Sequence, residues 1–466
     1  MSIIADSAPT LGGVRRERVA GLRAVEAEAF RKARPKSEAR TGNGMAGFLD
    51  GVPMHWMKDW PTPFPILVDR AKGAAITDID GNRLDDFCLG DTGSMFGHSP
   101  APVARAIRRQ AGRGLTYMLP SQDALAIGPL LQEKFGLPFW QIATTATDAN
   151  RFALRVARAV TGREKILVFN GCYHGAVDDT LVDLVDGRTV SRRNLLGQVR
   201  DLGELTVSIP FNDEAALEKA LAAPDIACVR AEPVMTNCGM IPPAPGFHAA
   251  LRRLTRAAGT LLLIDETHTI STGLGGYTKV HGLEPDLMVM GKPIGGGVPV
   301  SVWGMTQEIS DRLHVIRREQ SGHGHSGIGT TLSGSALQLA CLRACLEEVM
   351  TEEAYRIMQA RADRIEAGFT AAIAAAGLDW TVARVGARLE VVFSPVPVRN
   401  AAEARAAASD TIEAALHLSM LNLGYLLTPF HNMVLVSPAL SEAQADGLVS
   451  AFAAVTGRLA ERRAAA

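Results

Sequence analysis

Charge of one sign is what this 466-residue chain lacks: 48 lysines and arginines stand against 49 aspartates and glutamates, a formal net charge of −1. With no global field there is nothing to draw in nucleic acid or an anionic membrane, so binding must rest on local charges. Cysteine is scarce too. The six thiols (Cys88, Cys172, Cys228, Cys238, Cys341, Cys345) form no CxxC pair and no zinc-ligand spacing. Cys341 and Cys345 stand four apart on an expected helix, where a disulfide along one helix is geometrically disfavoured, and the set reads as thiols of a reducing, cytoplasmic compartment. No run of 18 uncharged apolar residues occurs, so no membrane-spanning helix is expected, and the first residues offer no apolar signal core.

What is present is ordinary globular composition, 47% hydrophobic and 21% charged, in a chain long enough for two or three domains. Residues 14–36 read as a polar-faced helix with a thin apolar stripe (Val19, Leu22, Val25, Phe30) suited to a partner subunit. A Gly/Pro/Trp-rich connector, 42–65, carries Trp56, Trp60 and Phe64, candidates for an apolar entrance or simply its anchors. A strand-turn-strand pattern around Asp80-Gly81-Asn82 follows. Helical periodicity over 101–110, 123–135 and 148–160 then alternates with short apolar strands at 165–169, 226–230, 260–264, 287–290 and 298–303. Such alternation predicts an α/β fold with a mainly parallel sheet covered on both faces. From about Leu337 long Ala-rich helices take over. The expected division is an N-terminal helix and connector (1–64), a large domain (65–335) whose first hairpin joins the smaller one, and a small α/β domain (336–466).

Two of the apolar runs carry chemistry. Leu261–Ile264 ends in Asp265-Glu266, and one βαβ step later Leu287–Met290 ends in Gly291-Lys292 and a glycine-rich turn. A carboxylate and a lysine at the ends of neighbouring buried strands are what pyridoxal phosphate chemistry needs. The amine forms a Schiff base with the cofactor aldehyde, and the carboxylate keeps the pyridine nitrogen protonated as an electron sink. A buried ion pair is the plain alternative. In an open parallel sheet, ligands sit outside the carboxyl ends of the strands. Two further segments fall there. Thr144-Thr145-Ala146-Thr147 opens a helix whose free N–H groups suit a phosphate, or is merely its cap. Tyr173-His174 ends the 165–169 strand with a ring able to stack on a flat cofactor.

These motifs, with 65–73 (Pro65 to Gly73), Gly97-His98-Ser99-Pro100 and Ala231-Glu232-Pro233-Val234, resemble the class III branch of the fold-type I pyridoxal phosphate enzymes from about Pro65 onward. That branch includes ω-aminotransferases and glutamate-1-semialdehyde aminomutase. The resemblance implies pyridoxal 5'-phosphate as cofactor, Lys292 as the Schiff-base lysine and Asp265 as the pyridinium partner. It puts Tyr173 and Thr267 on the two ring faces and Thr145, Ala146 and Thr147 at the phosphate. His174, Glu232 and His268 join the cofactor site, His268 standing where some members carry a Gln that reaches the phenolic oxygen. Thr331 corresponds to a threonine that crosses to the neighbouring subunit's phosphate, which implies a homodimer.

The chain departs from the family pattern in places. Thr145-Ala146 replaces Ser-Gly, Thr267-His268 replaces Val-Gln or Val-Met, the usual Gly-Phe-Arg is absent from 271–277, and Ser335-Ala336 stands for Asn-Pro. Arg70, Arg151 and Arg388 are unranked candidates to clamp a substrate carboxylate, and the glycine-rich segment 321–329, with His323 and His325, is a candidate gate. The leading expectation is an aminotransferase passing an amino group from an amino acid or ω-amine to an oxo acid. An intramolecular aminomutase or a racemase built on the same lysine and aspartate is the alternative.

Overall fold

Unbroken apolar runs build the central sheet. The computed structural model describes residues 10–319 and 325–460. In chain order the sheet strands are β1 (Phe139–Ala143), β2 (Lys165–Phe169), β3 (Thr206–Ile209), β4 (Ile226–Ala231), β5 (Leu261–Asp265), β6 (Leu287–Met290) and β7 (Ser301–Met305). Across the sheet the order is β3-β2-β4-β5-β6-β7-β1, with β7 antiparallel to both neighbours and the others running one way. Every residue of β4, β5, β6 and β7 is buried, as befits central strands covered on both faces. The expected α/β architecture is the observed one. The two strands not foreseen, β1 and β3, are the sheet edges: β1 is partly exposed, and β3 interleaves Thr206 and Ser208 with Val207 and Ile209, so neither shows an apolar run.

The helix Ala146–Thr161 packs on β4, β6 and β7 through Ala149, Phe152, Ala153, Val156, Ala157 and Val160, an i, i+3, i+4 stripe. The helix expected over 336–350 is α-helical only to Ala344. Cys345–Val349 widens into a π turn, with the Cys345 thiol 3.5 Å from the carbonyl of Pro293 in the lysine turn.

The chain divides into two compact units, one of Ala101–Tyr355 with Arg399–Glu403, the other of the remaining segments. Along the chain the two units change over at 100/101, 355/356, 398/399 and 403/404. Residues 65–100 belong to the second unit because its strand Arg83–Asp86 pairs with Tyr425–Leu426 from late in the chain. Ala336–Ala344 belongs to the first, where it packs on the helix Ala101–Ala111.

In the second unit the helix Arg16–Ala33 buries Val19, Leu22 and Phe30, while Val25 stays 60% exposed. Phe30 joins Phe64, Leu84, Leu418, Leu421 and Leu426 in one apolar cluster, so the stripe that suited a partner subunit is used within the chain itself. The connector aromatics are anchors here: Phe64 lies in that cluster, Trp56 meets Phe430, and Trp60 lies edge-on to His417 at 5.5 Å. Among the described residues no helix is long and apolar enough to cross a membrane.

His417 is fully buried, and burial pushes its imidazole down from 6.5 to about 4. Between those values the unfolded chain takes up a proton that the folded chain refuses, so this stability is present above 6.5 and lost as pH falls. Denaturant unfolding at about pH 7.5 and pH 5 should show the acid-side loss smaller by about 2 kcal/mol in His417→Leu than in the parent. Equal losses would show that this imidazole is not what titrates.

Candidate active site

One edge of the sheet gathers the chemistry, because β1, β2, β4, β5 and β6 all end there. β1 leads into Thr144 and the helix Ala146–Thr161, β2 into Asn170–His174, β4 into Glu232, β5 into Glu266–His268 and β6 into the lysine turn. Asp265 pairs in register with Val289, so Lys292 stands three residues past that partner. Lys292 has φ +48°, the left-handed region that a non-glycine residue adopts at a cost of about 1 kcal/mol or more. Tight packing holds it there: a Cβ on Gly291 would come 2.9 Å from the Ala146 methyl. On the other side, a Cβ on Gly175 would come 2.2 Å from Thr147 Oγ1, and Gly175 itself has φ +82°. The lysine turn and the Tyr173–Gly175 loop thus both close against the first turn of one helix.

Asp265 is the electrostatic centre. Its Oδ2 accepts from Arg230 Nη2 at 2.8 Å, His174 Nδ1 at 2.9 Å and Asn150 Nδ2 at 3.4 Å. Burial alone would raise this carboxyl, but the His174 hydrogen bond and the Arg230 guanidinium outweigh it and hold the group well below the usual carboxylate range. Burial, with help from Arg230, drives His174 down to about 4 against the pull of Asp265. The neutral ring must therefore donate from Nδ1, which leaves Nε2 as a buried acceptor without a partner among the described residues. Asp265 Oδ1 accepts a single bond, 3.1 Å from the Thr267 amide.

Lys292 Nζ lies 2.6 Å from His268 Nε2, and His268 Nδ1 lies 2.5 Å from Thr236 Oγ1. Thr236 in turn donates to Glu232 Oε2 at 2.6 Å. Glu232 also accepts from Asn237 Nδ2 at 3.2 Å, and burial pushes its carboxyl up to about 7. Neighbouring Glu266 plays a structural part. It accepts from Thr269 Oγ1, the Tyr277 amide and the Thr278 amide, and so shapes the segment after β5.

Thr145 caps its helix, accepting from the Asp148 amide at 3.2 Å, and Thr147 Oγ1 accepts from the Ala176 amide at 3.2 Å. The Ala146 and Thr147 amides, in the first turn, have no intrahelical acceptor. Tyr173 is half-buried after β2, and Thr267 is buried with its hydroxyl unpartnered among the described residues. Thr331 is exposed in the turn before Ala336 and is not hydrogen-bonded to the cluster.

Of the arginine candidates, Arg388 is wholly buried against Thr92 and Met433, Arg70 pairs with Asp69 at the surface, and Arg151 reaches the Ala176 carbonyl at 3.0 Å. In the gate candidate His323 lies outside the described residues, and His325 Nδ1 accepts from the Gly327 amide at 3.0 Å. Sequence reasoning missed Arg230, Asn150 and Thr236. A lone arginine in the otherwise apolar run Ile226–Ala231 was a usable signal. Thr236 carried none.

These residues fit pyridoxal phosphate. Oδ1 of Asp265 keeps a lone pair for a ring N–H, two backbone amides at a helix start await an anion, and the buried His174 Nε2 and Thr267 Oγ1 lack partners among the described residues. Fold and site define an enzyme of the fold-type I pyridoxal-phosphate class. The chain belongs to the class III aminotransferase family, whose model matches residues 56–455. It is similar to the glutamate-1-semialdehyde 2,1-aminomutase of Anaeromyxobacter dehalogenans (strain 2CP-1 / ATCC BAA-258), 36% identical over 372 residues, 78% of this chain and 84% of that protein. Among solved structures, a glutamate-1-semialdehyde-aminomutase from Pseudomonas aeruginosa PAO1 superposes with a TM-score of 0.93 at 47% identity, covering 96% of this chain and 100% of that one. A variant of that protein has been solved in complex with PMP. A β-phenylalanine aminotransferase from Variovorax paradoxus follows at 0.83 and 25% identity, over 94% of this chain and 97% of that one.

The Arg230–Asp265 pair is buried on both sides. Arg230→Met leaves the carboxylate short of its counter-ion and should lower unfolding free energy by about 3–5 kcal/mol. Denaturant titration checks this, and a loss below about 1 kcal/mol would show that His174 and Asn150 suffice to hold the anion.

Proposed function

We propose that this enzyme is an intramolecular aminomutase of the glutamate-1-semialdehyde type, exchanging an amino group and a neighbouring carbonyl within one small substrate. The observation that carries the reading is the full-length likeness to the Pseudomonas aeruginosa aminomutase, far stronger than the likeness to the β-phenylalanine aminotransferase. It revises the leading expectation from the sequence, a two-substrate aminotransferase, in favour of the alternative.

In this reading Lys292 would carry the covalent link to the cofactor and, once released, move protons. Asp265 would hold the ring nitrogen, with Tyr173 and Thr267 on the ring faces. The Ala146 and Thr147 amides and the Thr145 and Thr147 side chains would hold the phosphate. Thr331 would reach the phosphate of a second copy of the chain, in a homodimer. When bound, pyridoxal phosphate supplies a carbonyl that links to amines and a protonated ring that takes up the electron pair left by a departing proton. Lys292 Nζ takes the proton from the carbon bearing nitrogen and returns one to the adjacent site, which is general acid–base work by a single positioned amine. Asp265 serves this step by staying anionic, a state that Arg230 and His174 enforce. Exchange within one molecule calls for no oxo-acid partner.

The test is turnover of glutamate-1-semialdehyde by purified holoenzyme with no oxo acid added. Product formation at full rate is expected, and an absolute requirement for a 2-oxo acid would move the enzyme to the aminotransferases. Lys292→Ala should abolish turnover together with the absorbance band that borohydride removes. A variant keeping both would overturn the assignment of this lysine.

A further inference from the structure

Glu232, Thr236 and His268 form a continuous hydrogen-bonded file that ends on Lys292, and its direction is set by chemistry. With Glu232 ionised, the Thr236 hydroxyl donates to its Oε2 and so accepts from His268. His268 must therefore carry its proton on Nδ1, leaving the Nε2 lone pair to receive an N–H from Lys292 Nζ at 2.6 Å. In that state every bond in the file points from the amine toward the carboxylate. All three relay side chains are buried, so bulk water competes poorly for these contacts.

We propose that Glu232, Thr236 and His268 are a proton relay that sets the protonation state of the Lys292 amine once it is released from the cofactor. This rests on the reading of Lys292 as the proton-moving group. A proton passing from the Nζ ammonium to His268 Nε2 sends the Nδ1 proton to the Thr236 oxygen, and the hydroxyl proton moves on to Glu232 Oε2. One proton has been displaced, the imidazole ends in its other tautomer, and no electrons change hands. The amine is left neutral, the form able to take a proton from carbon, and the reverse passage reloads it.

Glu232 is fitted to the far end of the file because burial lifts its carboxyl to about 7, where it both gives and takes protons near neutrality. Asp265 faces it from β5 and adds to the rise, the Cys172 thiol faces it from beyond β2, and Arg230 lies on its own strand. Asn237 and Thr236 oppose the rise as donors.

Thr236→Val keeps the shape and removes the hydroxyl, while Thr236→Ser restores it. In the holoenzyme Thr236→Val should lower kcat by about 10²-fold with KM little changed, and Thr236→Ser should recover most of the loss. A second readout is independent of turnover: the pH midpoint of the lysine-linked cofactor band should shift in Thr236→Val and Glu232→Gln and return in Thr236→Ser. Parent-like rates and midpoints in Thr236→Val would overturn the relay, as would a serine variant as impaired as the valine one, since that marks a packing role. Borohydride fixation followed by peptide mapping separates the two readings. A label on Lys292 in every variant leaves the lysine assignment standing whatever the relay does, and a label elsewhere overturns that assignment itself.

Discussion

A carboxylate buried at the end of a central strand is the constraint around which the larger unit is organised. Asp265 keeps its charge only because a guanidinium, an imidazole and an amide converge on one of its oxygens. An uncompensated anion at that depth would protonate instead. Each partner comes from a different element: Arg230 from β4, His174 from the loop after β2, Asn150 from the helix Ala146–Thr161. These three bonds thus tie three segments to the strand end that a cofactor ring must approach. The second oxygen is left with one backbone bond and room for another.

A second network stands beside the first and differs from it in character. Asp265 is pinned anionic, whereas Glu232 is poised near neutrality by burial and by the Asp265 charge. Two neighbouring carboxyl groups driven in opposite directions are a recurring way to assign a fixed charge and a mobile proton to separate residues. His174 and His268 repeat the division. The first is a neutral donor to the fixed anion, and the second bridges the lysine to the titrating carboxyl through Thr236.

Much of this was legible before any coordinates. The Leu261–Asp265 and Leu287–Met290 runs announced buried parallel strands, and their endings placed an acid and a lysine at one sheet edge. The edge strands Phe139–Ala143 and Thr206–Ile209 were not legible: the first is partly exposed, and the second interleaves Thr206 and Ser208 with its apolar residues, so neither carries an apolar run. The division into two units has no local signature either. Pairing of Arg83–Asp86 with Tyr425–Leu426 joins segments from opposite ends of the chain, and no local pattern reports it. The stripe on Arg16–Ala33 was correctly read as apolar, yet which surface it covers depended on Phe64, Leu418 and Leu426 arriving from elsewhere.

By itself the sequence determined the chemistry available: periodicity and strand endings are local properties, and they place Asp265, Lys292 and Tyr173 on the ligand side of a parallel sheet and the Thr145–Thr147 turn at the start of a helix. Only the tertiary structure decided the charge and proton state of those groups. Desolvation and hydrogen-bond partners act through space, so Arg230 on Asp265 and Thr236 between Glu232 and His268 emerge only when separate strands lie side by side.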